Sequence, residues 1–247
     1  MTFDAHPRSS LIVALDFDSL PTALKFAQKI SDLVGMFKIG SQLFSSAGPE
    51  AVKQIAALGN SIFLDLKFHD IPNTVAGAVL SSAAMPGVQL VNVHALGGTA
   101  MLEAAVQAVS AGVPMGADRT RLIAVTILTS MDSKAMREAG IAGTPLSQAV
   151  KLARLAKTCG VDGVVASVQE GKAIRKACGR DFLIVTPGVR PAEKSAGKKK
   201  DDQARTATPA QAIKAGADYI VVGRPIIAAE DPRAAAQAIV EEIASAK

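Results

Sequence analysis

Eight short apolar segments alternate with Ala-rich amphipathic segments along the 247 residues, and this alternation predicts a (β/α)8 barrel. The length suits one large α/β domain, and no linker-like segment or shift in composition divides the chain. We therefore assign residues 1–247 to a single barrel domain. A doubly wound open sheet is the alternative, and it is disfavoured because no Gly-x-Gly-x-x-Gly sequence follows the first predicted strand.

Each predicted strand is a short run rich in β-branched and other apolar residues, and each predicted helix carries apolar residues at helical spacing. The predicted strands are Leu11–Asp16, Met36–Ile39, Ser61–Leu66, Gln89–His94, Leu122–Ile127, Gly163–Ser167, Phe182–Thr186 and Tyr219–Val222. The predicted helices are Leu20–Leu33, Pro49–Leu58, Val75–Ala84, Thr99–Ala111, Pro145–Thr158, Gln169–Ala177 and Pro209–Ala215, with Arg233–Ala246 closing the chain.

The composition is that of an ordinary globular protein, with 49% hydrophobic and 20% charged residues. The net charge of +5 is compatible with an anionic small substrate or with a nucleic acid. Aromatic residues make up only 4% of the chain and the basic residues are dispersed, so a nucleic-acid partner is disfavoured. The basic run Lys198-Lys199-Lys200 is followed by Asp201-Asp202 and is expected in a solvated loop.

The N-terminal residues, the lack of a long apolar run and the cysteines indicate a cytoplasmic protein without a membrane partner. Residues 1–10 lack the pattern of a signal peptide, and no run of about 18 apolar residues suggests a membrane span. Cys159 and Cys178 have no metal-ligand spacing, so reduced, semi-buried thiols are expected.

The densest cluster of charge is Asp65-Leu66-Lys67-Phe68-His69-Asp70, which follows the apolar run Ser61–Leu64. Side chains at i and i+2 of a strand point to one face, so Asp65 and Lys67 are expected to be aimed together. Asp70 and Pro72 then indicate the start of a helix. The alternative is an ion pair of purely structural value at a strand end, followed by a helix cap.

Most of the unusual polar residues fall at or just after the carboxyl ends of predicted strands. They are Asp16, Lys38, Asp65, Lys67, His94, Thr129, Ser130, Arg190 and Arg224, the last preceded by Gly223. In a (β/α)8 barrel this end carries the active site, so the distribution predicts an enzyme.

The segments after the seventh and eighth strands have the composition of a phosphate site. They contain Gly188, Arg190, Gly223 and Arg224, and arginine suits bidentate contact with phosphate. A plain turn with a surface arginine is the alternative. We expect a phosphorylated small substrate.

Lys38, Asp65, Lys67 and Asp70 form an alternating array of cations and anions. Neighbouring carboxylates keep a lysine charged, whereas a Schiff-base lysine must be neutral to attack. The array therefore favours protonation of a carbanion.

The three histidines, His6, His69 and His94, are far apart in the sequence and suggest no metal cluster. Catalysis without a metal is preferred, although an acidic pair could hold Mg²⁺. His94 ends a buried strand and is interpreted as a hydrogen-bonded packing residue.

Taken together, these motifs resemble the orotidine 5′-phosphate decarboxylase family over nearly the whole chain. They are Val13-Ala14-Leu15-Asp16, Phe37-Lys38-Ile39-Gly40, Asp65-Leu66-Lys67-Phe68-His69-Asp70-Ile71-Pro72-Asn73-Thr74, Leu128-Thr129-Ser130-Met131, Thr186-Pro187-Gly188-Val189-Arg190-Pro191 and Val222-Gly223-Arg224-Pro225. The decapeptide that begins at Asp65 is the most specific of them.

The resemblance implies that the chain converts orotidine 5′-phosphate to uridine 5′-phosphate and CO₂, the last step of de novo pyrimidine synthesis, without a cofactor or metal. Lys67 would protonate C6 of the pyrimidine, and Asp65 would lie beside the substrate carboxylate. Lys38 would bind the ribose and support the charge array, and Asp16 would also bind the ribose.

The resemblance also implies a homodimer, in which Asp70 and Thr74 reach across the interface into the neighbouring site. Thr129 and Ser130 would lie near the pyrimidine, and the phosphate side would be held by Arg190, Gln203, Gly223 and Arg224. The segment between Arg190 and Gln203 is a few residues longer than the family's usual loop, and the extra residues are expected to form a solvated insertion.

Two rival functions remain at this stage. Related barrels that act on sugar phosphates share an Asp-x-Lys-x-x-Asp pattern but use Mg²⁺ and an enediolate. The continuation Ile71-Pro72-Asn73-Thr74 and the pair Thr129-Ser130 favour the pyrimidine interpretation. A non-catalytic nucleotide- or RNA-binding barrel would exploit the positive charge but leaves the charge array unexplained.

Overall fold

Eight parallel strands close into a barrel in sequence order, with β8 pairing with β1. The computed structural model describes residues 6–111, 119–191 and 207–246. The strands are β1 (Leu11–Ala14), β2 (Met36–Gly40), β3 (Ser61–Phe68), β4 (Val88–His94), β5 (Arg121–Val125), β6 (Gly163–Val165), β7 (Leu183–Thr186) and β8 (Tyr219–Val222). The predicted (β/α)8 barrel is confirmed.

Helices surround the barrel and cover the outward faces of the strands. They are α1 (Leu20–Ile30), α2 (Ser41–Ala47), α3 (Pro49–Ala56), α4 (Pro72–Ala83), α5 (Gly98–Ala111), α6 (Ser133–Glu138), α7 (Pro145–Thr158), α8 (Val168–Cys178), α9 (Pro209–Lys214), α10 (Arg224–Ile227) and α11 (Pro232–Ala244). None of the helices in these ranges is long and apolar enough to cross a membrane.

Every predicted helix is present, with ends within three residues of the predicted ones. α4 begins at Pro72, the helix start that Asp70 and Pro72 indicated, three residues before the predicted apolar segment Val75–Ala84, because proline is well suited to the first turn of a helix. The short helices α2, α6 and α10, of four to seven residues, were not predicted. They lie on the connections that follow β2, β5 and β8.

The inside of the barrel is filled by apolar side chains from alternate strand positions. They are Ile12, Ala14, Met36, Phe63, Leu90, Ile123, Leu183, Val185 and Val221. A second and larger core lies between the strands and the helices. The inner layer forms a packed core rather than a pore, so a ligand site is expected at an end of the barrel and not inside it.

The pairing of β3 with β4 is irregular beside the charge cluster. Leu64 pairs with Val91 and Phe68 pairs with Val93, so residues 65–67 lie opposite Asn92 alone. Lys67 has φ of 53° and is the one non-glycine residue with positive φ among those described. Such a conformation is unfavourable for lysine, and a surplus of residues on one strand is the mark of a bulge.

Candidate active site

Four polar side chains extend the inner face of the barrel beyond its apolar layer. Lys38, Asp65 and Asn92 each lie two residues beyond an inner-layer residue of their own strand, namely Met36, Phe63 and Leu90. Asp16 stands in the same relation to Ala14, although β1 ends at Ala14 and Asp16 belongs to the following connection. Because side chains two residues apart share a face, all four point toward the barrel axis at its carboxyl end.

These side chains form a continuous network of opposite charges. Lys38 Nζ lies 3.2 Å from Asp16 Oδ1 and 3.3 Å from Asp65 Oδ2. Lys67 Nζ lies 2.6 Å from Asp65 Oδ1. Asn92 Nδ2 donates to the same Asp65 oxygen at 2.6 Å, so both oxygens of this buried carboxylate are engaged by cations or an amide.

The network keeps its buried members ionised. Burial favours the neutral carboxyl of Asp65, but the opposing effect of Lys38, Lys67 and Asn92 is larger in total and lowers its pKa. Burial likewise disfavours the ammonium of Lys38, yet attraction to Asp65 and Asp16 prevails and raises its pKa. Lys38 and Asp65 are therefore a charged pair at neutral pH, as the sequence predicted.

Asp65 and Lys67 do face each other, but not through the regular alternation of a strand. The positive φ of Lys67 interrupts the pleat of β3, and the strand continues as far as Phe68. The bulge, rather than the i, i+2 relation alone, brings the ammonium back over the carboxylate. The predicted contact between Lys67 and Asp65 is present. Its geometry depends on the irregular pairing of β3 with β4.

Gly40 leaves room for the Lys38 ammonium. A β-carbon at position 40 would lie 2.8 Å from Lys38 Nζ and 3.7 Å from Asp16 Oδ1. Any other residue there would therefore push the ammonium from its place between the two carboxylates. The motif Phe37-Lys38-Ile39-Gly40 thus carries both the lysine and the space that it needs.

The network forms part of the wall of a cleft of about 310 Å³ at the carboxyl end of the barrel. The other predicted residues that line it are Thr129, Ser130, Gly188, Arg190, Gly223 and Arg224. Apolar surface comes from Phe63, Leu128, Val165 and Val221. One cleft therefore joins a cation–anion network to two arginines and to an apolar wall, which suits a ligand with a flat ring and an anionic group.

The loop after β7 is anchored at both of its described ends. Val189 and Ala207 form a parallel bridge, and Arg190 N donates to Ala207 O at 2.9 Å. The bridge holds the backbone of Arg190 at the rim of the cleft. Gln203, predicted to bind phosphate, lies outside the described residues.

Asp70 and Thr74 do not line the cleft of their own chain. Both are exposed, Asp70 just before α4 and Thr74 in its first turn. The Asp70 carboxylate accepts a hydrogen bond from the backbone N–H of Ile71 at 2.6 Å. Within their own chain, therefore, Asp70 and Thr74 lie outside the wall of the cleft.

His94 packs against His69, with ring centroids 5.4 Å apart. Burial, together with repulsion from His69 and Lys67, lowers the pKa of His94. In the part of the chain that the structure describes, no group of three or more His, Cys, Asp or Glu side chains is placed to hold a metal ion.

Asn92 is the residue that the sequence-based interpretation missed. The signal was available, because an amide in the centre of the apolar run Val88–His94 has to find buried partners. The same period of two that identifies Lys38 and Asp65 also places Asn92 on the inner face.

The chain is similar in sequence and in fold to proteins of one family. The model of the orotidine 5′-phosphate decarboxylase / HUMPS family matches residues 9–239. Orotidine 5′-phosphate decarboxylases of Geotalea daltonii and Trichlorobacter lovleyi are each 52% identical to the chain over 243 residues, covering 98% of it and 99% and 98% of their own lengths. The crystal structure of orotidine 5′-phosphate decarboxylase from Lactobacillus acidophilus matches with a TM-score of 0.82 and 41% identity, covering 94% of this chain and 98% of that one.

The match extends from the first strand to the last helix and includes every element that contributes to the cleft. The chain therefore belongs to the orotidine 5′-phosphate decarboxylase / HUMPS family.

Proposed function

We propose that this protein is a carboxy-lyase that converts orotidine 5′-phosphate to uridine 5′-phosphate and CO₂ in pyrimidine synthesis. The observation that carries the proposal is the Lys67 ammonium, held 2.6 Å from the Asp65 carboxylate in the wall of the cleft. Relatives about 50% identical over nearly the whole chain carry the corresponding name.

The proposed reaction breaks the bond between C6 and the carboxylate and leaves its electron pair on C6. The Lys67 ammonium stabilises this developing charge and then transfers a proton to C6, which gives the product. The amine regains its proton from water. A positive charge already in place stabilises the transition state without reorganisation, which is the most effective form of electrostatic catalysis.

We further propose that the substrate carboxylate lies beside Asp65, and that Lys38 and Asp16 hold the ribose. The backbone and side chains at Arg190, Gly223 and Arg224 would bind the phosphate, with Thr129 and Ser130 near the ring. In this assignment a single ligand contacts both the cation–anion network and the two arginines of the cleft. Binding energy from the distant phosphate can then be used to orient the reacting carbon.

The proposal needs no metal or cofactor. Asp65, the most buried carboxylate of the network, already accepts from Lys38, Lys67 and Asn92. A Mg²⁺ ion bound there would have to displace these cations. The geometry therefore favours decarboxylation with lysine as proton donor over the enediolate chemistry of sugar-phosphate barrels.

The test is the change in ultraviolet absorbance when purified protein is mixed with orotidine 5′-phosphate. Conversion to uridine 5′-phosphate is expected at an equal rate with and without EDTA. A rate that falls in EDTA and returns with Mg²⁺ would contradict metal independence. An absence of conversion by folded protein would contradict the proposed reaction.

Arg224→Ala is expected to weaken binding of uridine 5′-phosphate by about 10- to 100-fold, because a hydrogen-bonded charge is lost from the phosphate. The affinity for uridine should stay unchanged, since the nucleoside has no phosphate. Isothermal titration calorimetry measures both. Arg180→Ala is the control, because Arg180 is exposed at the opposite end of β7. Equal affinities of Arg224→Ala and wild type for uridine 5′-phosphate would remove Arg224 from the site.

We also propose a homodimer in which the partner's copies of Asp70 and Thr74 complete each cleft. From Ile71 to Leu102 the chain has no Asp, Glu, Lys or Arg, although this stretch includes the surface helix α4. Ile71, Leu80 and Leu96 are 67%, 42% and 45% exposed. Exposed large apolar residues in an uncharged segment are typical of a protein–protein contact.

A cytoplasmic location is part of the proposal. Cys159 and Cys178 are buried and unpaired with each other, as thiols of a reducing compartment are. Burial raises the pKa of both thiols, which keeps them unreactive.

A further inference from the structure

Asn92 is fully buried, and both the nitrogen and the oxygen of its side-chain amide form hydrogen bonds to residues at the carboxyl end of β3. Its Nδ2 donates to Asp65 Oδ1 at 2.6 Å, and its Oδ1 accepts from the backbone N–H of Lys67 at 2.8 Å. The two bonds differ in kind, since one acts on a carboxylate and the other on the main chain.

The bond to the main chain replaces a missing strand contact. Residues 65–67 have only one residue opposite them on β4. The backbone of β4 therefore cannot accept a hydrogen bond from every backbone N–H in the bulge. The carbonyl oxygen of Asn92 serves the N–H of Lys67, the residue with φ of 53°. A left-handed lysine persists only where its surroundings hold it, and Asn92 supplies such a contact.

The bond to the carboxylate orients Asp65. The oxygen that Asn92 binds is the one that accepts Lys67 Nζ at 2.6 Å, while the other faces Lys38. Rotation of the carboxylate would break all three contacts. Asn92 thus binds the backbone of Lys67 directly. It acts on the Lys67 ammonium indirectly, because both groups bind the same oxygen of Asp65.

We propose that Asn92 is a positioning residue that holds the Lys67 ammonium and the Asp65 carboxylate in their reactive arrangement. The proposal rests on the proposed role of Lys67 as proton donor. An amide suits this position because one end donates to a carboxylate while the other accepts from an N–H. An ionised carboxylate cannot donate, and an apolar side chain can do neither.

Asn92→Asp provides the sharpest test because it keeps the size of the side chain. The introduced carboxyl group is buried against Asp65, and burial with a like charge raises its pKa. When protonated it can donate to Asp65 and accept from Lys67 N–H, as the amide does. The ratio of kcat for Asn92→Asp to kcat for wild type should therefore rise as the pH falls.

The wild type is measured in parallel because position 92 has other ionisable groups around it. They are Asp65 and Lys67 on β3, Lys38 on β2, Asp16 after β1, and the pair His69 and His94. Taking the ratio of the two enzymes removes their common contribution. A ratio that does not change with pH would overturn the proposal.

Asn92→Ala is expected to lower kcat by about 10²-fold with a smaller change in KM, since a misplaced proton donor costs about that much in rate. Thr120→Val is the matched control. Thr120 is buried and donates to Val88 O at 2.8 Å, at the far end of β4. The control should lower thermal stability but not kcat. Equal kcat for Asn92→Ala and wild type would overturn the proposal.

Hydrogen exchange at the Lys67 amide tests the arrangement without relying on turnover. Exchange should be faster in Asn92→Ala than in wild type, and near the wild-type rate in Asn92→Asp, which keeps an acceptor. Unchanged exchange in Asn92→Ala would overturn the proposal. If wild type fails to decarboxylate orotidine 5′-phosphate, the proposed function fails, while the exchange result still decides whether Asn92 holds Lys67.

Discussion

Lys67→Ala should abolish measurable decarboxylation of orotidine 5′-phosphate, with a loss in kcat of at least ~10⁴-fold. The substitution removes both the nearest positive charge and the proton donor, each of which contributes a factor of about 10² or more. Turnover is measured from the change in ultraviolet absorbance at saturating substrate.

The fold should survive this substitution. The Lys67 side chain is 37% exposed, so its removal opens little buried space. Asp65 keeps two partners, Lys38 Nζ at 3.3 Å and Asn92 Nδ2 at 2.6 Å, and is not left as an isolated buried charge. Thermal unfolding and binding of uridine 5′-phosphate should therefore remain close to those of wild type.

Lys134→Ala is the control, because it removes a lysine that does not line the cleft. Lys134 lies on α6 with its side chain 78% exposed, and its contact with Glu138 is a weak surface pair at 3.8 Å. Its kcat should equal that of wild type. Turnover by Lys67→Ala at the wild-type rate would refute the mechanism, whatever the family of the chain.

Mixing two inactive variants should restore activity if the partner's Asp70 completes each site. In a heterodimer of Lys67→Ala and Asp70→Ala, one cleft carries both substitutions and the other carries neither. Random association makes half of the dimers mixed, so about a quarter of wild-type activity is expected after co-expression or co-refolding. The assay is again the absorbance change with orotidine 5′-phosphate.

The expectation follows from where Asp70 lies. Its side chain is exposed outside the cleft of its own chain, next to the exposed Ile71. Lys67→Ala mixed with Lys38→Ala is the matched control, because both substitutions affect the cleft of their own chain and no mixed dimer has an intact site. If Asp70 acts within its own chain, both mixtures will remain inactive.

The order of the strands and the inner-face residues could be predicted because they depend on local patterns. Largely apolar segments of four to six residues marked all eight strands. The period of two then placed Lys38 and Asp65 on the inner face. The connections after these strands also bring the predicted residues Asp16, Thr129, Ser130, Arg190, Gly223 and Arg224 to the cleft, and Lys67 reaches it through the bulge in β3.

The exact geometry of the reacting groups could not be predicted, because it arises where two strands meet. The conformation of Lys67 follows from the bulge between β3 and β4, and a register shift leaves no mark in either strand alone. The role of Asn92 follows from the same shift, since its amide faces residues 25 and 27 positions away in the chain. Local periodicity therefore sets which residues reach the cleft, while contacts between distant strands set how the lysine, the carboxylate and the amide are arranged within it.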